Sequence, residues 1–308
     1  MLVWNAHKTK VRSLAFSPDG TQLASGAERT ASVRLWESIS GKQRGELRGR
    51  WGETSALSFA PTGNLLATTT MRNHVVLWDT AARTAISAPR APTFRHGSAF
   101  APDGAWVGVS GFGGVVGWHD PATPRPVTLG RSDGVEWLPD ERFTLERKSV
   151  SRSSDSLAFS PDGRRLAAHG IHSTAIWDRK TRKVERVIEH NVKTDVRTVV
   201  AFAPDSERLG LGFDKFAEIH PVRGKAKPLK LIGHTRVVRA IGFTPDGRTA
   251  MTAAGDGTVR FWDAATGAQL RAFDWGVGAL YRAAFSADGL LCAADGELGQ
   301  VVVWDADG

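Results

Sequence analysis

Apolar and polar positions along this chain alternate in short runs, and turn residues cut each run after five to seven positions. Residues 237–243 (Val-Val-Arg-Ala-Ile-Gly-Phe) are branched and aromatic and predict a strand. Thr244-Pro245-Asp246-Gly247 follows. There the proline presets φ at the second turn position, the aspartate bonds its own backbone and the glycine closes the turn. Residues 249–254 return as a second strand, Gly255-Asp256-Gly257 makes a tight turn, and residues 258–263 alternate apolar and polar as a third strand. After a turn at 264–267, residues 269–273 supply a fourth. The unit is four short antiparallel strands, and such a sheet cannot bury both faces by itself.

The unit recurs. Phe16-Ser17-Pro18-Asp19-Gly20 returns with its phenylalanine at Phe59, Phe100, Phe159, Phe202, Phe243 and Phe285, in steps of 43, 41, 59, 43, 41 and 42 residues. A period near 42 predicts a repeat architecture in which neighbouring sheets bury each other's faces. Radial stacking does this while leaving only short, protected edges, which predicts an all-β propeller of seven blades forming one domain over residues 1–308. The seventh copy ends at Trp304-Asp305 without a fourth strand after it. Leu2-Val3-Trp4 stands directly before His7, as residues 229–231 stand before His234, so this N-terminal strand is expected to complete the last blade and close the ring.

The 59-residue step carries about 17 extra residues. Residues 127–131 match a fourth strand, which leaves a surplus at about 132–150. Within it Trp137-Leu138-Pro139-Asp140 echoes the repeated turn, and the segment is expected to form an extra β-hairpin or a vestigial half-blade. Trp137 and Phe143, with Arg142, Arg147 and Lys148, suit a partner interface, since Trp and Arg dominate binding hot spots. Alternatively both aromatics fold back onto the blades.

A leading Gly-His, a strand, a Phe-Ser-Pro-Asp-Gly turn and a Trp-Asp end at this period resemble the WD40 repeat family. Trp-Asp stands at Trp78-Asp79, Trp177-Asp178, Trp262-Asp263 and Trp304-Asp305. It is altered to Trp36-Glu37 and Trp118-His119, and absent at Ile219-His220. The leading histidine is kept as His7, His190 and His234, with Arg50 in its place in the second copy. The resemblance implies a structural tetrad of histidine, strand hydroxyl, turn aspartate and tryptophan. Only the sixth copy carries it whole, as His234, Thr252, Asp256 and Trp262; the first keeps His7, Ser25 and Trp36 without the aspartate. These residues mimic a Ser/Thr-His-Asp catalytic set but occupy scaffold positions. The resemblance further implies a noncatalytic protein-interaction scaffold, and it sets the 132–150 insertion on the face usually used for partners.

Composition adds mainly exclusions. The one cysteine, Cys292, falls in a strand and is expected to be a buried structural thiol. There is no His-Glu-x-x-His and no four-ligand spacing, so neither metal nor cofactor is expected. His169 and His172 bracket a strand-turn position rather than a metal site. The glycine-rich residues 111–117 lack the Lys-Ser/Thr of a phosphate loop and read as a hairpin turn. No run of 18 apolar residues and no leader pattern is visible, which points to a cytoplasmic protein without a membrane span.

The residue four before each repeat phenylalanine begins the innermost strand: Arg12, Ser55, His96, Asp155, Thr198, Arg239 and Tyr281. Lys10 and Arg282 flank this set. With a net charge of +8, that ring of positions is a candidate surface for a protein or peptide partner that is acidic or phosphorylated. Four rival readings remain: a solvated rim, a propeller enzyme or small-ligand binder using the channel, electrostatic nucleic-acid binding, and a periplasmic propeller of the TolB type. The Trp-Asp ends and Gly-His starts argue against the last. Oligomeric state is not legible, with a monomer as the default.

Overall fold

The computed structural model describes residues 1–87, 94–105, 107–111, 116–119, 154–170, 173–181, 183–190 and 199–306. Among the described residues there are 27 strands and no helix, and so no helix long and apolar enough to cross a membrane. The strands form six four-stranded sheets and one three-stranded sheet. Within each repeat they pair in sequence order, as Val11–Phe16, Gln22–Ala27, Ser32–Glu37 and Gln43–Arg48 do in the first. The third sheet contains Phe94–Phe100, Val107–Gly111 and Val116–His119. Its expected fourth strand at 127–131 and the insertion at 132–150, with Trp137 and Phe143, lie outside the described residues.

The last sheet closes as the sequence predicts. Leu2–Asn5 pairs antiparallel with Gln300–Asp305, placing Leu2 opposite Val303 and Trp4 opposite Val301. The first strand of each sheet touches the first strand of the next, and Ala283–Phe285 of the seventh touches Val11–Phe16 of the first. The apolar core is correspondingly divided between sheets. Leu35 and Leu47 of the first pack with Leu66 and Trp78 of the second. Phe243 and Trp262 of the sixth pack with Ile219 and Leu231 of the fifth. At the closure, Val301 and Val303 pack with Leu14, Phe16 and Trp36. This is a β-propeller arrangement in which each sheet is half of two cores.

In four of the seven copies the repeated turn has one construction. Ser17 Oγ donates to Asp19 Oδ1 at 2.5 Å, and the amide of Thr21 donates to the same oxygen at 3.1 Å. Gly20 supplies the left-handed backbone, with φ of +69°. The Ser17 hydroxyl, ahead of the amide, holds the Asp19 carboxyl below its ordinary range. Thr244 does the same for Asp246, and Ser286 for Asp288. In the fifth copy Ser206 replaces the glycine and is forced to φ +59°; its hydroxyl accepts the Asp162 amide of the preceding sheet at 3.1 Å.

One local feature escapes the sequence pattern. The pairing register slips at the residue four before the phenylalanine in the first, second, fourth and sixth sheets, at Arg12, Ser55, Asp155 and Arg239. In the third it slips between Phe94 and Gly97, across His96. A bulge leaves one residue out of the ladder and turns it away from the pleat. Arg12, Ser55 and Arg239 are therefore re-aimed at the same point of their sheets.

Candidate functional site

The tetrad of the sixth sheet assembles as the resemblance implies. His234 Nδ1 donates to Asp256 Oδ2 at 3.0 Å, and the Thr252 hydroxyl donates to Nε2 at 2.7 Å. Trp262 Nε1 donates to Thr252 Oγ1 at 2.8 Å. Asp256 also accepts the Thr235 amide and the Thr258 amide and hydroxyl. Burial pushes the Asp256 carboxyl up, but these donors together with His234 outweigh it and hold the group down at about 2. Burial likewise depresses His234, against the attraction of Asp256, so the imidazole is neutral and acts as a fixed relay. Every polar atom of the set is consumed inside one sheet.

The other copies repeat fragments of this chain. In the first, the Ser25 hydroxyl donates to His7 Nε2 and accepts from Trp36 Nε1, both at 2.7 Å. Burial, with Arg34 nearby, lowers His7 to about 4. In the second copy Trp78 Nε1 donates to Thr68 Oγ1 at 3.1 Å. The sequence sets Arg50 in the histidine slot, but Arg50 is exposed and Trp51 meets Trp78 instead, edge to face at 5.4 Å. Trp51 thus meets the indole of its sheet edge to face, as His7 and His234 meet theirs.

His190 departs from its expected role as the leading histidine of the fifth copy. Leu211 occupies the register position that Thr252 holds in the sixth sheet, opposite Val200 where Thr252 is opposite Ile241. With no hydroxyl ahead of it, His190 Nε2 bonds Thr174 Oγ1 of the fourth sheet at 2.7 Å. The fully buried His169 also bonds that hydroxyl, and its ring lies 4.9 Å from that of His190. Burial, then the neighbouring His190, pushes His169 well below its usual range. His172 lies outside the described residues, as do 112–115 of the glycine-rich turn. No group of three or more His, Cys, Asp or Glu suited to a metal is found among the described residues. Cys292 is fully buried, and burial drives its thiol far above the usual range, as expected of a structural cysteine.

Some arginines tie neighbouring sheets together. Arg165 is 1% exposed yet charged: its Nε donates to Glu185 at 2.8 Å and its Nη1 to the Ser206 carbonyl at 3.1 Å, with Glu207 at 3.4 Å. Arg208 reaches the Gly247 carbonyl at 2.8 Å, Arg83 the Arg44 carbonyl at 2.6 Å and Arg186 the Pro221 carbonyl at 2.5 Å. Each of the four bonds to a carbonyl runs from one sheet to the backbone of its neighbour. The planar five-donor guanidinium suits this pinning role.

The candidate rim residues do come together, in part. Lys10, Val11, Arg12, Glu28, Arg239, Tyr281 and Arg282 line one pocket of about 230 Å³, contributed by the sixth, seventh and first sheets. Tyr281 is held between two cations, with the Arg239 guanidinium 5.0 Å and the Lys10 ammonium 5.2 Å from its ring centre. Lys10 Nζ also donates to the Tyr281 hydroxyl at 3.1 Å, which holds the ammonium more firmly protonated. Arg12 pairs with Glu28 at 2.6 Å, and Lys10 stands 3.6 Å from Glu297. Arg239 has no carboxylate partner among the described residues, and its buried Nε is unbonded. His96 and Asp155 take their places on backbone alone, and Thr198 lies outside the described residues. Ser55 is buried in the second sheet.

Asp295, which no sequence pattern marks, sits beneath this pocket, fully buried. Its Oδ1 accepts the amides of both Tyr281 and Arg282 at 2.7 Å, fixing the entry to the innermost strand, while Oδ2 has no partner. Burial pushes its carboxyl up to about 7, although both amides and the Arg282 charge oppose this.

Three stretches of the chain, residues 1–37, 41–79 and 226–263, match the model of the WD domain, G-beta repeat. Among curated proteins the chain is similar to Periodic tryptophan protein 2 homolog of Schizosaccharomyces pombe, 30% identical over 155 residues, covering 49% of this chain and 18% of that protein. It is similar to Cell division cycle 20.1, cofactor of APC complex, of Arabidopsis thaliana, 27% identical over 271 residues, covering 83% of this chain and 54% of that protein. It also resembles Echinoderm microtubule-associated protein-like 2 of Rattus norvegicus, 26% identical over 291 residues, covering 88% of this chain and 40% of that protein. The chain thus spans about half or less of the length of these relatives. The three matched repeats, the tryptophan–hydroxyl bonds found in three sheets and the ring of sheets agree in marking WD40 repeats within this chain.

Proposed function

We propose that this chain is a noncatalytic protein-interaction scaffold, a single seven-bladed propeller that docks an acidic protein or peptide segment at the inner rim. One observation carries the reading: four cationic side chains and an aromatic, drawn from three sheets, line one pocket, in which Glu28 pairs with Arg12 and Glu297 stands beside Lys10. Trp, Tyr and Arg are the residues that dominate protein interfaces. The seven-blade count is supported by the ring of contacts between successive first strands. The noncatalytic reading is supported by the fate of the His234, Thr252 and Asp256 set, whose atoms all serve the sheet. WD40 relatives are typically interaction scaffolds, and two of those above are named for an assembly they serve rather than for a reaction. The pocket is also smaller than the roughly 300–1,000 Å³ of cavities that enclose whole small molecules.

The test is affinity purification with quantitative mass spectrometry from the native cell, wild type against Arg12→Ala/Arg239→Ala. Specific partners should be depleted from the double variant at unchanged melting temperature. An identical set of partners at equal yield overturns the rim as the docking surface.

A further inference from the structure

We propose that Asp295 is the positioning residue of the rim pocket and that the proton on its carboxyl links the placement of Tyr281 and Arg282 to pH, so that an acidic segment docks more tightly when Asp295 is neutral; this rests on the scaffold reading above. Asp295 ends the second strand of the seventh sheet, Leu291–Asp295, and is fully buried. Its Oδ1 accepts the amides of Tyr281 and Arg282, both at 2.7 Å, and its own amide donates to the Arg282 carbonyl at 3.2 Å. One residue thus grips both side chains that the seventh sheet gives to the pocket. Its Oδ2 is buried without a partner. The fold itself does not require a carboxylate here. The same register position, three residues past the one opposite the third-strand tryptophan, holds Gly26, Thr69, Gly111, His169 and Ala253 in the first, second, third, fourth and sixth sheets.

An ionised carboxylate with one oxygen unpaired in the interior is costly, and taking up a proton removes most of that cost. Burial accordingly lifts the carboxyl to about 7, against the two amides and the Arg282 charge. The elements packed around it bring Tyr281 and Arg282 from the entry to the first strand of its sheet and Glu297 from the turn that follows it. The first sheet brings Lys10 and Arg12, with Glu28, and Val301 stands opposite on the last strand. Arg239 reaches over Tyr281 from the sixth sheet at 5.0 Å. Side chains of these types titrate well away from neutrality, so a proton exchanged near pH 7 in this pocket belongs to Asp295. Ionised, Asp295 holds both amides by charge-assisted bonds and sets a negative charge against Arg282. Neutral, it loosens that grip and raises the net charge around the pocket by one. The Tyr281 ring, held between Lys10 and Arg239, carries any shift of its backbone to both cations. By linkage, a segment that prefers the neutral form binds more tightly as the pH falls through about 7. The sign for stability is the same. The folded value lies above the ordinary carboxylate value, so the stability of the neutral form is complete at acid pH and is lost as the pH rises through about 7.

Tyr281 is the only tyrosine of the chain, so ¹³C-tyrosine labelling of the whole protein places one reporter resonance directly above Asp295. Between pH 5 and pH 9 that resonance should titrate with a midpoint near 7, and Asp295→Asn should abolish the step. The melting temperature of Asp295→Asn should rise relative to the wild type from pH 5 to pH 7 and stay level above it, which a merely structural role would not produce. Hexaglutamate, titrated at constant ionic strength, should bind the wild type about fivefold or more tightly at pH 6 than at pH 8, and the variant equally at both. Asp295→Ser, which also lacks an ionisable group, is the second variant, and the wild-type titration is decisive even where neither variant folds. The proposal fails if the Tyr281 resonance shows no step between pH 6 and pH 8, if the step survives in a folded variant, or if hexaglutamate binds the wild type no more tightly at pH 6 than at pH 8. Should it fail while Arg12→Ala/Arg239→Ala still loses its partners, the proton coupling falls and the scaffold reading stands.

Discussion

Asp256→Asn is the substitution whose cost can be worked from the structure. The Asp256 side chain is 6% exposed and that of His234 is not exposed at all, so the bonds between them are shielded from solvent. The donors around Asp256 depress its carboxyl from 3.8 to about 2. Each unit of depression corresponds to about 1.4 kcal/mol, so the charged carboxylate contributes about 2 kcal/mol at neutral pH. Because the folded value lies below the unfolded one, this contribution is complete above the unfolded pKa. It is lost as the pH falls towards about 2, and at pH 3 about half should remain. Asparagine keeps the shape but presents one acceptor oxygen where two were used, and no charge. Urea unfolding followed by tryptophan fluorescence, at pH 7 and pH 3 and constant ionic strength, measures the difference between wild type and variant. The other low-lying carboxylates are common to both proteins and cancel. A difference near zero at pH 7, or one that does not shrink by pH 3, refutes this account of the tetrad.

Two further outcomes concern the joints between sheets. Deleting residues 1–6 removes the strand opposite Gln300–Asp305 and the contact of Trp4 with Trp36 at 5.7 Å, and should lower the melting temperature by about 10 °C or more; an unchanged value refutes closure by this strand. Arg165→Met keeps the bulk of a nearly inaccessible side chain but strands Glu185 and the Ser206 carbonyl, and should cost about 2 kcal/mol in the same urea assay at low and high salt alike; a cost that vanishes at high salt would mark Arg165 as a surface pair.

The strands, their order within each sheet, the repeated turn, the closure by residues 2–4 and the whole tetrad of the sixth copy were legible in the chain. These features are local: a proline, an aspartate and a glycine set a turn from three consecutive positions, and alternation marks each strand. The channel-rim set was legible only as a list of positions. That Arg12, Arg239, Tyr281 and Arg282 share one pocket follows from the ring, which brings residues 12 and 281 together across the length of the chain. The bulges that aim Arg12 and Arg239 leave no mark in the pattern, because an extra residue in one strand is defined only by its partner strand. The same is true of substitutions between neighbours. Trp51 takes the place of a histidine, and His190 turns to the fourth sheet, because of what stands opposite them in space. Arginine content read as surface charge, yet Arg165 and Arg208 are ties between sheets. Sequence alone therefore determined the repeating unit, since turn chemistry and alternation act over a few residues. Tertiary structure decided where charge and aromatic surface converge, since only ring closure makes distant copies neighbours.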